Sequence, residues 1–242
     1  MEPAEYDRMD RAEDGMWWYR ALHANLVDAW ARAERVDGAI LDAGCGTGGL
    51  LRALGALEPA RVRIGLDREP RAARRAADKG GAPTVVGDVA ALPFGDARFA
   101  AVFSADVLYH REVDARRALA ETFRCLRPGG LVLVNVPAFD WLASYHDRRV
   151  HGARRFTRSQ LHALLSEAGF VPLAVRYWNS LLFPVMVARR LRPAGADAAS
   201  DVEPPPRWLD RTLGAVCRLE RALCALGVRW PAGGSLLAVA RK

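Results

Sequence analysis

Apolar and polar positions change period several times along the chain, and each change marks an element. Between Glu5 and Arg35, Trp17, Trp18, Leu22, Leu26 and Trp30 recur at helical spacing, which predicts one or two helices ahead of everything else. Ala39-Ile40-Leu41 is a short apolar strand, and Leu50 to Leu57 returns to helical spacing. Further strands are expected at 61–66, 84–87, 99–103, 131–136, 171–177 and 235–240. Helices fall between them, from Pro70, which suits a first helical turn, from Asp114 to Leu126, and from Thr157 to Ala168, which stops at Gly169. This alternation predicts an α/β fold, a doubly wound, mainly parallel seven-stranded sheet of the Rossmann-like kind. Between the last two strands lie an apolar run, Leu181 to Ala188, a Pro/Ala/Asp-rich linker, Pro193 to Pro206, and a helix, Arg207 to Leu226. The expected organisation is a helical lid at 1–36, a core at 37–178, a helical insertion at 179–234 and a last core strand at 235–242.

In a doubly wound sheet, ligands bind outside the carboxyl ends of the strands. Asp42-Ala43-Gly44-Cys45-Gly46-Thr47-Gly48-Gly49 leaves the first strand at such an end and opens a helix. Glycines there let backbone approach a ligand, and the helix start offers unpaired N–H groups. Gly44-x-Gly46-x-x-Gly49 also satisfies the dinucleotide spacing, but that spacing alone is weak. The surroundings decide. Asp42 stands two residues before the turn, Asp67 ends the second strand and Asp88 follows the third. A carboxylate at Asp42 repels a pyrophosphate and attracts a cation. Asp67 can accept from ribose hydroxyls and Asp88 from an exocyclic amine, so the set suits a positively charged nucleoside.

With Leu41 to Gly48, Gly65-Leu66-Asp67, Gly87-Asp88-Val89 and Leu126-Arg127-Pro128-Gly129-Gly130-Leu131 in this order and spacing, the chain resembles the class I S-adenosylmethionine-dependent methyltransferases over residues 38–177. The resemblance implies a small-molecule methyltransferase that uses S-adenosylmethionine. Asp42, Gly44 and Gly46 would line the methionine part of the cofactor, with Cys45 in the same turn. Asp67, with Arg68 beside it, would hold the ribose, Asp88 the adenine amine, and Val89 a backbone contact to the ring. Ala105 would lie near the amino group.

A sulfonium methyl is already electrophilic, so in-line transfer can rest largely on holding the acceptor in place; an acidic O–H acceptor adds the need for a base. The stretch from Ser144 to Phe156 leaves the expected acceptor edge and holds Tyr145, His146, Asp147, His151 and four arginines. His146 is the candidate base, with Tyr145 and His110 as further catalytic candidates. Arg154 and Arg155 can grip an anionic acceptor or simply lie solvated. Trp18, Tyr19 and Tyr109 are candidate acceptor contacts, against the alternative of core packing. His146 and His151 lack a third partner for a metal, and none is expected.

Composition changes this picture in two places. Four cysteines without CxxC spacing, an acidic start without an apolar signal core and no apolar run long enough for a membrane span predict a cytoplasmic protein. The formal charge is +7, and Lys79 and Lys242 are the only lysines among 35 basic residues. A basic balance admits nucleic acid, an anionic membrane or an anionic substrate. The strand-four exit, Ser104-Ala105-Asp106-Val107, lacks the Pro-Pro-aromatic signature of base-amine methylation, and no Pro-Cys nucleophile is present. The expected acceptor is therefore a small molecule, anionic or lipid-linked, methylated on O or N. An RNA methyltransferase and a non-catalytic cofactor-binding partner are the alternatives. Peripheral membrane contact through Leu181 to Ala188 or the Arg207 helix, and a monomer or homodimer, complete the expectations.

Overall fold

The computed structural model describes residues 10–143, 154–191 and 205–242. Its strands are β1 (Ala39–Ala43), β2 (Arg63–Asp67), β3 (Thr84–Val86), β4 (Phe99–Ala105), β5 (Leu126–Pro137), β6 (Val171–Trp178) and β7 (Ser235–Arg241). They form one sheet in the order β3-β2-β1-β4-β5-β7-β6. The pairs from β3 to β5 are parallel, and β7 runs antiparallel to both neighbours. The chain winds outward from β1 in one direction and from β4 in the other. The crevice at the carboxyl ends of β1 and β4 is thus the switch point at which such sheets bind ligands.

Strand periodicity divides the core between the two faces. Leu41, Val102, Val132, Val134 and Val136 face one way, onto Leu119 of α4 (Ala115–Cys125) and Leu161 and Leu165 of α5 (Arg158–Glu167). Ile40, Ala101, Phe103, Leu131 and Leu133 face the other way, onto α1 (Trp17–Arg32), α2 (Gly49–Leu57) and Cys217 of α7 (Arg207–Ala225). The remaining helices are α3 (Pro70–Gly80) and α6 (Phe183–Leu191). Because β1, β4 and the second half of β5 are covered on both faces, they read as nearly continuous apolar runs rather than alternating ones.

α1 covers the sheet along much of its length. Trp30 has no exposed surface, sets its ring 6.1 Å from Phe103 and donates its indole N–H to Glu58 at 2.6 Å. Local chemistry fixes the helix starts: the Asp114 carboxylate accepts from two backbone amides, and Thr157 and Gln160 form a reciprocal capping box. β5 begins at Leu126, five residues before the expected start, because Leu126 already pairs with Phe99. The Gly129-Gly130 turn is drawn into the sheet by Lys242, through Gly129 N–H to Lys242 O at 3.0 Å and Lys242 N–H to Gly130 O at 2.9 Å.

Gly48 caps α2 with φ +94°, and a Cβ there would lie 2.7 Å from the Ala76 Cα. Gly48→Ala is expected to cost about 2 kcal/mol, from a left-handed backbone and a clash with α3 that no rotamer relieves. Chemical denaturation checks this.

Candidate functional site

β1 carries Asp42 into the switch-point crevice. The side chain is 1% exposed, and neither carboxylate oxygen has a hydrogen-bond partner. Burial, then the charges of Glu13 and Asp67, hold its pKa well above the usual carboxylate range. The turn that follows keeps Gly44, Gly46 and Gly48 at φ +88°, +53° and +94°, conformations that open the backbone to a ligand. Gly44 also lets the loop after β4 close in, since a Cβ there would meet Val107 Cγ2 at 2.3 Å. A buried carboxylate with two unengaged oxygens costs stability unless a cation meets it. The donor set therefore fits the ammonium and sulfonium end of S-adenosylmethionine, and does not suit a diphosphate.

Asp67 closes the same turn from β2. One oxygen accepts from Gly46 N–H and the other from Glu69 N–H, both at 2.9 Å, so its orientation is fixed before any ligand arrives. Arg68 reaches Glu112 in the loop after β4, at 2.8 Å, bridging the mouth. Asp88 is exposed past β3, where it accepts from Ala90 N–H at 2.8 Å, and Val89 beside it is buried. Ala105 is the last residue of β4. The Cys45 thiol points away from the turn into a small cluster with Leu51, Ala76 and Ala82, and burial pushes its pKa up.

The residues before α1 bring in a group that sequence reasoning missed. Glu13, 6% exposed, accepts from the Thr47 hydroxyl of the glycine turn at 2.5 Å and from Lys79 of α3 at 3.1 Å. Gly49 makes room: a Cβ there would lie 2.4 Å from Glu13 Cδ and 2.6 Å from His23 Cε1. Lys79 also meets Asp10 at 2.6 Å and Asp14 at 3.6 Å. Burial opposes the charge on Lys79, but these carboxylates outweigh it and raise its pKa. His23 is buried and its pKa is lowered, burial outweighing the Glu13 charge. Its Nε2 lies 3.8 Å from Glu13 Oε1.

On the acceptor side, Asp106 follows β4 with φ +54°, a left-handed conformation uncommon for a residue with a side chain. Its carboxylate accepts from Asn135 Nδ2 at 2.9 Å, and Asn135 Oδ1 accepts from the Trp178 indole at 2.7 Å. Trp18 lies 6.3 Å from Trp178, and Tyr19 lies 6.4 Å from His23. Tyr109 is mostly buried in the core with its ring 4.3 Å from that of His110. Arg154 donates to the carbonyls of His110 and Val113, at 3.2 and 2.7 Å. Arg155 donates to Ala138 O at 3.1 Å. Both guanidiniums thereby tie the stretch before α5 to the ends of β4 and β5. Tyr145, His146, Arg148, Arg149 and His151 lie outside the described residues.

Aromatic rings gather beyond β5 and β6. Phe139, at φ +57°, stacks on Tyr177 at 5.2 Å and lies 5.7 Å from Trp141 and 5.8 Å from Phe183. Trp141 is 59% exposed, which gives this edge of the crevice an apolar rim.

With this geometry in view, residues 41–134 match the methyltransferase domain model. The chain is 25% identical over 199 residues to 24-methylenesterol C-methyltransferase 2 of Oryza sativa subsp. japonica, covering 64% of this chain and 53% of that protein. It is 36% identical over 110 residues to the tRNA (carboxymethyluridine(34)-5-O)-methyltransferase of Arabidopsis thaliana, covering 45% of this chain and 25% of that one. The chain thus spans about half or less of the length of these curated relatives. Among solved structures, a chain of the complex between the Haloferax volcanii Trm112 methyltransferase activator and a methyltransferase aligns with TM-score 0.64 and 22% identity, covering 99% of this chain and 94% of that one. That likeness shows the fold. Residues 41–134 thus match a methyltransferase domain, and the chain has the fold of the class I S-adenosylmethionine-dependent methyltransferases.

Proposed function

We propose that the protein transfers the methyl group of S-adenosylmethionine to an oxygen or nitrogen of a small, anionic or lipid-linked acceptor. The observation that carries this reading is Asp42, buried at the glycine turn with both carboxylate oxygens unengaged. When bound, S-adenosylmethionine supplies an electrophilic methyl carbon on a sulfonium. Asp42 answers its positive end, Asp67 its ribose, and Asp88 and Val89 its adenine ring. Trp18 and the loop after β4, to whose carbonyls at His110 and Val113 Arg154 donates, restrict water at the acceptor side. The Asp106 carboxylate, held by Asn135, which in turn accepts from Trp178, is a candidate to take a proton from an O–H or N–H acceptor. His146, Tyr145 and His110 are the other candidates for that step. The aromatic rim around Phe139 and Trp141 favours an acceptor with an apolar portion. The likeness to a tRNA methyltransferase together with the +7 charge supports RNA as a second reading.

Transfer of a labelled methyl group to small acids and phenols, polyprenyl phosphates, lipid extracts and RNA tests the reading. Label in a small or lipid fraction, lost in Asp106→Asn while donor binding persists, is expected. Label confined to RNA would replace the acceptor class, and a protein that binds the donor but labels no fraction would contradict the enzymatic reading.

A further inference from the structure

The charges of α7 are sorted by face. Its two acids both turn inward: Asp210 accepts from Trp17 N–H at 2.7 Å and from Arg20, and Glu220, 3% exposed, accepts from Ser180 and Leu181 N–H at 2.7 and 2.9 Å. Arg207, Arg211 and Arg218 are exposed, and none has an ion-pair partner among the described residues. Along one side of these arginines runs an exposed apolar line. Trp208 is 69%, Leu219 55% and Leu226 82% exposed. Their separations, eleven and seven residues, bring them to one side of a helix with 3.6 residues per turn. Ala215 and Ala222 fall on the same line and are exposed as well.

We propose that this outward face of α7 is a docking surface for an anionic lipid bilayer. A helix with an apolar stripe bordered along one side by arginines lies in the plane of such a surface, with tryptophan at headgroup level and guanidiniums on the phosphates. Charge argues against a second copy of the chain: a two-fold contact through this face would set arginine against arginine with no exposed carboxylate on α7 to answer them. RNA would use the arginines but leave Leu219 and Leu226 against water. Docking here is in-plane association, since among the described residues no helix is long and apolar enough to cross a membrane. The inference rests on the helix face and is independent of the methyl acceptor.

Co-sedimentation of the full chain, without methyl donor, with vesicles of phosphatidylcholine alone or mixed with phosphatidylglycerol tests the proposal. Binding to the anionic vesicles, weak on neutral ones and falling with salt, is expected. The triple variant Arg207→Gln, Arg211→Gln, Arg218→Gln should lower anionic-vesicle partitioning about 100-fold, at about fivefold per arginine. Trp208→Ser alone should weaken binding while leaving its salt dependence in place. Both variants should keep the wild-type melting temperature, and the single change serves if the triple variant does not fold. Equal retention on both vesicle types, or wild-type binding by a folded variant, overturns the proposal. So does a chain that is dimeric by sedimentation and becomes monomeric in Trp208→Ser, or one that binds RNA and no vesicle.

Discussion

Asp42→Asn is expected to lower affinity for S-adenosylmethionine roughly 10–100-fold and at the same time make the ligand-free protein more stable. The two effects share one cause. In the free protein the carboxylate is buried, has no partner and feels Glu13 and Asp67 nearby. Replacing it with a neutral amide relieves about 1 kcal/mol of charge burial, or roughly 2–4 °C in melting temperature for a chain of this size. In the complex the same carboxylate meets a cation, a contact worth about 1.5–3 kcal/mol that the amide cannot reproduce. pH gives an independent sign. Because the folded pKa of Asp42 lies above its unfolded value, the folded state holds the extra proton between the two. Its contribution to stability is present below the unfolded value of 3.8 and is lost as pH rises toward the folded one. Thermal melts across pH, with and without the amide variant, read this directly; a variant that melts lower and still binds the cofactor would contradict the assignment.

Lys79→Met is expected to destabilise the protein by about 2–3 kcal/mol. It removes the cation among Asp10, Glu13 and Asp14 and leaves Glu13 buried against the glycine turn. Breaking a fully buried pair costs about 3–5 kcal/mol; the partial exposure of Asp10 and Asp14 reduces the figure. Adding Glu13→Gln to Lys79→Met should recover more than half of the loss, because the stranded charge goes with it. Denaturant titrations of the two single variants and the double variant complete the cycle. Additive losses would show that Glu13 and Lys79 do not act together.

Where a side chain's partner is its neighbour in sequence or in the next strand, the chain announced it. The Ala39-Ile40-Leu41 strand, the helix from Thr157 and the glycine turn all follow from local spacing, and with them the sheet and the cofactor crevice. The start of β5 did not, because Leu126 joins the sheet only by pairing with Phe99. Nor did the Glu13 cluster, assembled from residues before α1, the glycine turn and α3, whose proximity no periodicity encodes. A compositional signal existed: both lysines of an arginine-rich chain occupy sites that need a compact cation. Lys79 serves its three carboxylates, and Lys242 reaches the carbonyls of Phe123 and Leu126 at 2.6 and 2.8 Å. Arg154 and Arg155 show the converse. Sequence leaves an anion grip and a solvated cluster both open; in three dimensions their guanidiniums donate to backbone carbonyls in the loops after β4 and β5.

Calorimetric titration with S-adenosylmethionine, run in two buffers of different ionisation heat at a pH between the unfolded and folded pKa values of Asp42, tests the central claim most directly. Binding at one site with release of a proton is predicted, because the cation returns the Asp42 carboxylate to its charged form; in Asp42→Asn the proton release disappears and affinity falls. Wild-type affinity in Asp42→Asn, or tight binding of a nicotinamide dinucleotide in place of S-adenosylmethionine, would contradict it.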